Sequence, residues 1–148
     1  MRTSRFIVLT IATAVATSAS VASNGLAPAN PTGPKPGEGV LCLWALTSVA
    51  SEVGKHCPGK SDPSFQADLD GSVALMDQYV SANTHIGTEG IAKFKSQQGG
   101  VGESPAELCT ADKTRLYDSL RAQGAAAIQE SVQKVVARPG TPTWGDCF

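Results

Sequence analysis

Two histidines, His56 and His85, are the residues of this sequence best suited to acid–base or metal chemistry. Glu52 precedes His56 by four residues, so both side chains share one face if the segment is helical, and Cys57 follows directly. Carboxylate, imidazole and thiolate groups all bind metals, but a site needs three or four of them. Cys57 is better assigned to a disulfide. We therefore expect no metal site and no cofactor.

A hydrolase would need a serine or cysteine nucleophile beside a histidine that a carboxylate orients. The sequence contains no G-x-S-x-G motif, and the serines of the helical segments are predicted to lie on exposed surfaces: Ser48, Ser51, Ser72 and Ser81. A small periplasmic hydrolase or metal-dependent enzyme that uses His56 and His85 stays an alternative. It requires both imidazoles to converge with one carboxylate of Glu52, Asp62 or Glu89.

The first 22 residues have the pattern of a secretory signal peptide. Arg2 and Arg5 precede an apolar run over residues 6–16, and small residues follow. This run is shorter than the roughly 20 residues that a membrane-spanning helix needs. We place cleavage after Ala22, with Ser23 as the close alternative. The prediction is an exported protein of the periplasm or cell exterior without stable membrane insertion, and the Ala-, Thr- and Ser-rich signal favours a bacterial origin.

The chain that remains after cleavage is acidic. The 148 residues include 12 basic and 13 acidic ones, and removing Arg2 and Arg5 leaves 10 against 13, a net charge of −3. Modules that bind nucleic acid usually carry a marked basic excess. We therefore expect no nucleic-acid partner.

The organisation of the chain follows from its composition and its apolar spacing. Residues 23–39 are rich in proline and glycine and are predicted to form a flexible linker. Residues 40–148 are predicted to form a single domain. Apolar residues at helical spacing predict helices over residues 39–55, 62–82, 88–98 and 104–138. The first of these is apolar around most of its circumference, so we expect it to be the central helix.

Local signals support two of these helices. Asp62 is a suitable N-cap for the second helix, with Pro63 at the first helical position. Ser104 and Glu107 form the pattern of a capping box at the start of the fourth helix. Gly124 is expected either to kink or split that helix or to allow a close packing contact. The aspartates of the second helix are predicted to form a solvated face: Asp68, Asp70 and Asp77.

The four cysteines of an exported domain predict two disulfides. Cys42 and Cys57 lie at the two ends of one helix, about 22 Å apart, which exceeds the roughly 7 Å that a disulfide permits between Cα atoms. An up-and-down path of the helices favours the pairs Cys57–Cys109 and Cys42–Cys147. The predicted fold is an all-α bundle of about four helices with extended N- and C-terminal segments and two disulfides.

No motif in the sequence identifies a reaction. The pattern favours an exported, non-catalytic protein that binds another protein or a small apolar ligand. Trp144 and Phe148 lie in the extended C-terminal segment and are candidate contact residues, because exposed aromatic side chains are frequent binding determinants. An envelope stress chaperone, which would expose apolar surface at low pH, is a further alternative.

Overall fold

A computed structural model of the chain describes residues 35–145, and its regular secondary structure over this range is entirely helical. The six helices are α1 (Val40–His56), α2 (Pro63–Asn83), α3 (Gly87–Gln98), α4 (Pro105–Leu108), α5 (Ala111–Gln123) and α6 (Ala125–Val136). The predicted all-α class is confirmed, whereas the described range contains six helices instead of about four. The predicted signal peptide, residues 23–34 of the predicted linker, Cys147 and Phe148 lie outside the described residues.

Helix α1 is the central helix, as the sequence predicts. It contacts each of the other five helices, and its side chains are buried around most of its circumference. Leu43, Ala50 and Val53 are each at most 1% exposed, as is Trp44, the largest side chain of the core. A helix that is apolar on all sides has no face for solvent and therefore occupies the middle of the bundle.

Helices α2 and α3 begin and end within about one residue of the predicted positions. The Phe65 amide donates a hydrogen bond to Asp62 Oδ1 at 3.2 Å, which satisfies one of the free amides at the start of α2. Pro63 occupies the first turn, where its missing N–H costs nothing. Local capping chemistry therefore defines the start of α2.

The single helix predicted over residues 104–138 is wrong, because this range forms α4, α5 and α6. The predicted capping box is present: the Ser104 amide donates to Glu107 Oε2 at 3.0 Å and the Ser104 hydroxyl donates to it at 2.7 Å. The first break follows at Cys109 and Thr110. The second break is Gly124, whose φ of 87° and ψ of 150° lie outside the helical region.

The disulfide Cys57–Cys109 joins the end of α1 to the end of α4, with Cα atoms 5.5 Å apart. This predicted pair is confirmed and is the one disulfide between described residues. The second predicted pair, Cys42–Cys147, involves a residue outside the described range and stays a prediction. The Cys57–Cys109 bond also explains the first helix break, since Cys109 lies at the residue where the chain leaves α4.

The C-terminal segment after α6 is extended and pairs with the residues that precede α1. The Thr143 amide donates to the Gly37 carbonyl oxygen at 2.9 Å, and the Leu41 amide donates to the Thr143 carbonyl oxygen at 3.2 Å. The Tyr79 hydroxyl lies 2.9 Å from the carbonyl oxygens of both Arg138 and Gly140. Residues 35–39, which were predicted to belong to the linker, are thus part of the folded domain, because these backbone bonds fix them.

None of the helices within residues 35–145 combines the length and the apolar character needed to cross a membrane.

Candidate functional site

The structure places His56 at the exposed end of α1. Its Nε2 lies 3.5 Å from Glu52 Oε2, so the predicted pairing of these two side chains on one helix face is present. The His56 side chain is 58% exposed, whereas that of Glu52 is 15% exposed. Cys57 is bonded to Cys109 and supplies no thiolate here.

His85 lies far from this pair. It is exposed in the turn between α2 and α3, whereas His56 lies near the start of α2. Helix α2 has 21 residues, a length of about 31 Å at 1.5 Å per residue, and separates the two imidazoles. Among residues 35–145, no group of three or more His, Cys, Asp or Glu side chains is arranged to hold a metal ion.

Trp144, a candidate contact residue, is 49% exposed. Its ring centroid lies 5.9 Å from that of Phe94 in α3, with a tilt of 35° between the ring planes. The other candidate, Phe148, lies outside the described residues. Trp144 therefore covers one edge of α3 and still presents about half of its surface to solvent.

A polar cleft of about 180 Å³ lies between α1, α2 and α3. Charged and hydroxyl side chains from the three helices line most of its wall: Ser48, Ser51, Glu52, Lys55, Asp70, Asp77 and Lys95. Three carboxylates and two ammonium groups therefore face one small space.

One end of the polar cleft is organised around Asp70. Its Oδ1 accepts hydrogen bonds from Ser51 Oγ at 2.6 Å and Gln66 Nε2 at 3.1 Å, and it lies 2.9 Å from Lys55 Nζ. Partial burial opposes ionisation of this carboxyl group, but these three donors outweigh burial and lower the pKa of Asp70. Asp70 is therefore held as a carboxylate.

Lys55 completes this end of the cleft. Its Nζ lies 3.2 Å from Glu52 Oε1 in addition to its contact with Asp70. Burial acts to lower the pKa of Lys55, but hydrogen bonds to Asp70 and Glu52 outweigh it and raise the pKa above its ordinary value. Lys55 is thus cationic throughout the physiological pH range.

The other end of the polar cleft is organised around Asp77. Its Oδ1 accepts a hydrogen bond from Trp44 Nε1 at 2.7 Å, and its Oδ2 accepts one from Lys95 Nζ at 3.0 Å. Trp44 belongs to α1 and Lys95 to α3. A single carboxylate on α2 therefore fixes both neighbouring helices and sets the position of the Lys95 ammonium group.

Ser48 lines the polar cleft between these two ends. It is 1% exposed, and its hydroxyl has no hydrogen-bond partner among residues 35–145. A buried hydroxyl without a partner costs about 1–3 kcal/mol.

The exposure predicted for the serines of the helices and for the aspartates of α2 is wrong in two respects. Ser48, Ser51 and Ser72 are at most 2% exposed instead of lying on the surface, whereas Ser81 is exposed as predicted. The aspartates of α2 are half-buried and hydrogen-bonded instead of forming a solvated face; Asp68 accepts from Gln129 Nε2 at 3.0 Å. A buried polar face could have been predicted from the spacing of polar residues in the first two helices. Polar residues recur at intervals of three, four and seven, which places them on one face of each helix: residues 48, 51 and 55 in α1, and residues 66, 70 and 77 in α2.

An apolar groove of about 480 Å³ lies between α2 and α3 on the other side of Asp77. Its remaining wall is uncharged and consists of Gln78, Ser81, Ala82, Thr88 and Ile91. The surface that the groove presents is mainly apolar. Leu75 lies one helical turn before Gln78 and is 38% exposed, and Ile86, which directly precedes α3, is 45% exposed.

The exposed face of α2 continues this apolar groove. The nine exposed residues of α2 carry no charge: Pro63, Ser64, Ala67, Gly71, Ala74, Leu75, Gln78, Ser81 and Ala82. By contrast, α5 exposes Asp112, Arg115 and Asp118. Depletion of charge is characteristic of surfaces that other molecules cover.

Comparison with known proteins assigns no family. No protein-family model, no curated protein and no solved structure matches this chain. The site must therefore be interpreted from its own geometry.

Among the described residues, neither cavity holds a serine that is hydrogen-bonded to a histidine. The hydroxyl of Ser51 is already committed as a donor to Asp70, and Ser48 has no hydrogen-bonded histidine to activate it. The polar cleft offers fixed charges of both signs, and the apolar groove offers uncharged surface. Each is a property of a ligand site whose walls are preformed.

Proposed function

We propose that this protein is an exported, non-catalytic binding protein that holds a small, mainly apolar molecule in the apolar groove between α2 and α3. The observation that carries this proposal is the groove itself. Its volume of about 480 Å³ falls within the range of roughly 300–1,000 Å³ that small-molecule sites occupy. Asp77 is the one charged residue of its wall.

The surroundings of the groove support an apolar ligand. The nine residues of α2 classed as exposed are uncharged, and Asp77 is the one charged residue of the groove wall, so an apolar molecule in the groove meets a single charge. Ser81 and Thr88 supply the few hydroxyl groups that would orient the ligand. Asp77 is already neutralised by Lys95, which reduces the cost of placing an apolar group beside it.

Export is supported by two separate features. The sequence of residues 1–22 has the pattern of a secretory signal peptide. The disulfide Cys57–Cys109 is of the kind that persists in an oxidising compartment. The proposal that the protein is non-catalytic is supported by the placement of His56 and His85, which lie at opposite ends of α2 and so cannot share one catalytic centre.

The oxidised chain lacking residues 1–22 provides the test, with the neutral apolar dye N-phenyl-1-naphthylamine as the probe. We expect a saturable rise in dye fluorescence. Ala82→Glu places a carboxylate in the groove wall and is expected to weaken dye binding at least about ten-fold, because the charge must be desolvated when the dye binds. Ala126→Glu makes the same change at an exposed position of α6 and is expected to bind the dye like the parent chain.

Two results would overturn the proposal. One is the absence of saturable dye binding by the parent chain. The other is equal weakening by Ala82→Glu and Ala126→Glu, which would locate the effect in net charge and not in the groove. Circular dichroism of both variants establishes that each retains the helical fold.

A further inference from the structure

We propose that the polar cleft is a second binding site, specific for a small amino-acid zwitterion whose ammonium group meets Asp70 and whose carboxylate meets Lys95. This site is distinct from the apolar groove, although Asp77 borders both cavities. The proposal is independent of the ligand proposed for the groove.

Asp70 keeps one carboxylate oxygen free for a ligand. Its Oδ1 receives all three of its donors, from Ser51, Gln66 and Lys55. Within the described range, Oδ2 accepts no hydrogen bond. Asp70 borders the cleft, and its lowered pKa keeps it ionised. Its free carboxylate oxygen can therefore accept a hydrogen bond from an ammonium group.

Lys95 supplies the matching cation at the other end. Its Nζ donates one hydrogen bond, to Asp77 Oδ2, whereas an ammonium group has three donors. The side chain is 24% exposed, so its head lies at the border between the protein and the cleft. Asp77 fixes the position of this ammonium group before any ligand binds.

Ser48 lies between the two charged ends. On α1 it stands between Trp44, which contacts Asp77, and Ser51, which contacts Asp70. Its buried hydroxyl lacks a partner, and a hydroxyl can both donate and accept. Less than 1 Å² of its oxygen is accessible, so the hydroxyl is enclosed by the wall of the cleft and makes no direct contact with a ligand.

The mixed charge of the cleft selects a zwitterion over a singly charged ion. An anion beside Lys95 would be repelled by Asp77, and a cation beside Asp70 would be repelled by Lys55, and each would gain only one pairing. A zwitterion meets the same two repulsions but gains both pairings. The volume of about 180 Å³ corresponds to about six water molecules at about 30 Å³ each, which suits an amino acid with a short chain.

The test is a titration of the oxidised, isotope-labelled chain lacking residues 1–22, followed by amide chemical shifts. The probes are glycine, β-alanine and 4-aminobutyrate, with acetate and ethylammonium as singly charged controls. We expect at least one zwitterion to shift amides of α1, α2 and α3 around the cleft saturably. Its Kd is expected to be at least about ten-fold lower than that of either control, because one charge-assisted hydrogen bond is worth about 1.5–3 kcal/mol.

Matched variants locate the site. Lys95→Gln removes the cation and is expected to weaken binding by about ten-fold or more, whereas Lys93→Gln changes an exposed lysine of the same helix and is expected to leave binding unchanged. Ser48→Ala keeps every ion pair and is expected to leave binding unchanged, because the Ser48 oxygen is enclosed. It removes a buried group without a partner, so the variant folds at least as stably as the parent.

Three results would overturn the proposal. No saturable shift with any zwitterion up to about 10 mM would show that the cleft holds water only, since even a ligand with a Kd of 1 mM is nearly saturated there. Equal affinity for acetate or ethylammonium would contradict recognition of two charges. Unchanged binding by Lys95→Gln would place the ligand elsewhere. Dye binding in the apolar groove is unaffected by each of these outcomes.

Discussion

The indole ring of Trp44 and the phenyl ring of Phe94 stack face to face, with centroids 4.1 Å apart and planes inclined by 6°. Trp44 also donates to Asp77, which in turn accepts from Lys95, the residue after Phe94. These contacts attach α3 to α1 and α2, although α3 contributes no fully buried residue. The helix that borders both cavities is thus held by this stack and this ion pair, together with the packing of Ile91 against the core and of Trp144 against Phe94.

Replacing Phe94 by leucine is expected to loosen α3 while leaving the rest of the bundle intact. The loss of the stacked pair should cost about 0.5–1.5 kcal/mol beyond the change in buried area. Hydrogen exchange should become faster at the amides of α3, with little change in α5. Lys93→Ala, at an exposed position of α3, serves as the control. Unchanged protection of α3 in Phe94→Leu would show that the stack does not hold this helix.

Removing the disulfide between α1 and α4 is expected to destabilise the domain. The bond Cys57–Cys109 closes a segment with a sequence separation of 52 residues, and its loss by Cys57→Ala with Cys109→Ala should lower the free energy of unfolding by about 2–4 kcal/mol. Guanidinium unfolding followed by circular dichroism measures this change. A loss below about 1 kcal/mol would mean that the tertiary contacts alone restrain these two helix ends.

The second disulfide is expected to join Cys42 to Cys147. The Leu41 amide donates a hydrogen bond to the Thr143 carbonyl oxygen. Because Leu41 directly precedes Cys42, this bond holds the C-terminal segment next to Cys42. Cys147 is the fourth residue after Thr143. Digestion without reduction, followed by mass spectrometry, should recover a peptide that links residues 42 and 147. Recovery of Cys147 as a free thiol would contradict this pairing.

Asp70 is expected to make the stability of the domain sensitive to acid. Because hydrogen bonds from Ser51, Lys55 and Gln66 outweigh burial and lower its pKa below the usual 3.8 in the folded state, the unfolded chain takes up a proton first as the pH falls. The stability from Asp70 is therefore complete above about pH 5 and is lost as the pH falls through the folded pKa.

Urea unfolding of Asp70→Asn between about pH 6 and pH 2 tests whether Asp70 contributes to the loss of stability in acid. The variant should be less stable than the parent at pH 6 and should lose less stability on acidification. Asp112→Asn alters a carboxylate whose side chain is 92% exposed and is expected to follow the parent curve. A parallel acid loss in Asp70→Asn and the parent would show that other carboxyl groups govern the transition.

Gly124 is expected to tolerate no side chain at the junction of α5 and α6. Its φ of 87° and ψ of 150° lie in a region that essentially only glycine adopts, so Gly124→Ala should cost about 1–3 kcal/mol. An added Cβ would meet no atom within 4 Å, which leaves backbone strain as the cause. Gly71→Ala, in the middle of α2 with equally open space, should instead stabilise the helix by about 0.8–1 kcal/mol. Thermal unfolding that shows the same change for both variants would contradict this difference.

Local chemistry made the first three helices predictable. The apolar circumference of α1, the cap formed by Asp62 and the glycine pair after Gln98 each act within a few residues, so the sequence alone determines these boundaries. The capping box of Ser104 and Glu107 was predictable for the same reason. The break at Gly124 is one of the outcomes that the sequence indicates, whereas the break at Cys109 and Thr110 was not predicted, because Leu108, Leu120 and Val132 keep their helical spacing across both breaks. The chain leaves the helix at Cys109, where it meets Cys57.

The sequence by itself determined the helical class and the central place of α1, because apolar periodicity is a property of each segment. It favoured the pairing of Cys57 with Cys109 from the order of the predicted helix ends, and the tertiary structure decided that pairing. The tertiary structure decided which polar residues are buried. Ser48 and Asp70 have the local pattern of surface residues, and they become walls of a cleft only because α1 and α2 pack with these faces together. Burial depends on the neighbouring helix, and a residue's own segment does not specify that neighbour.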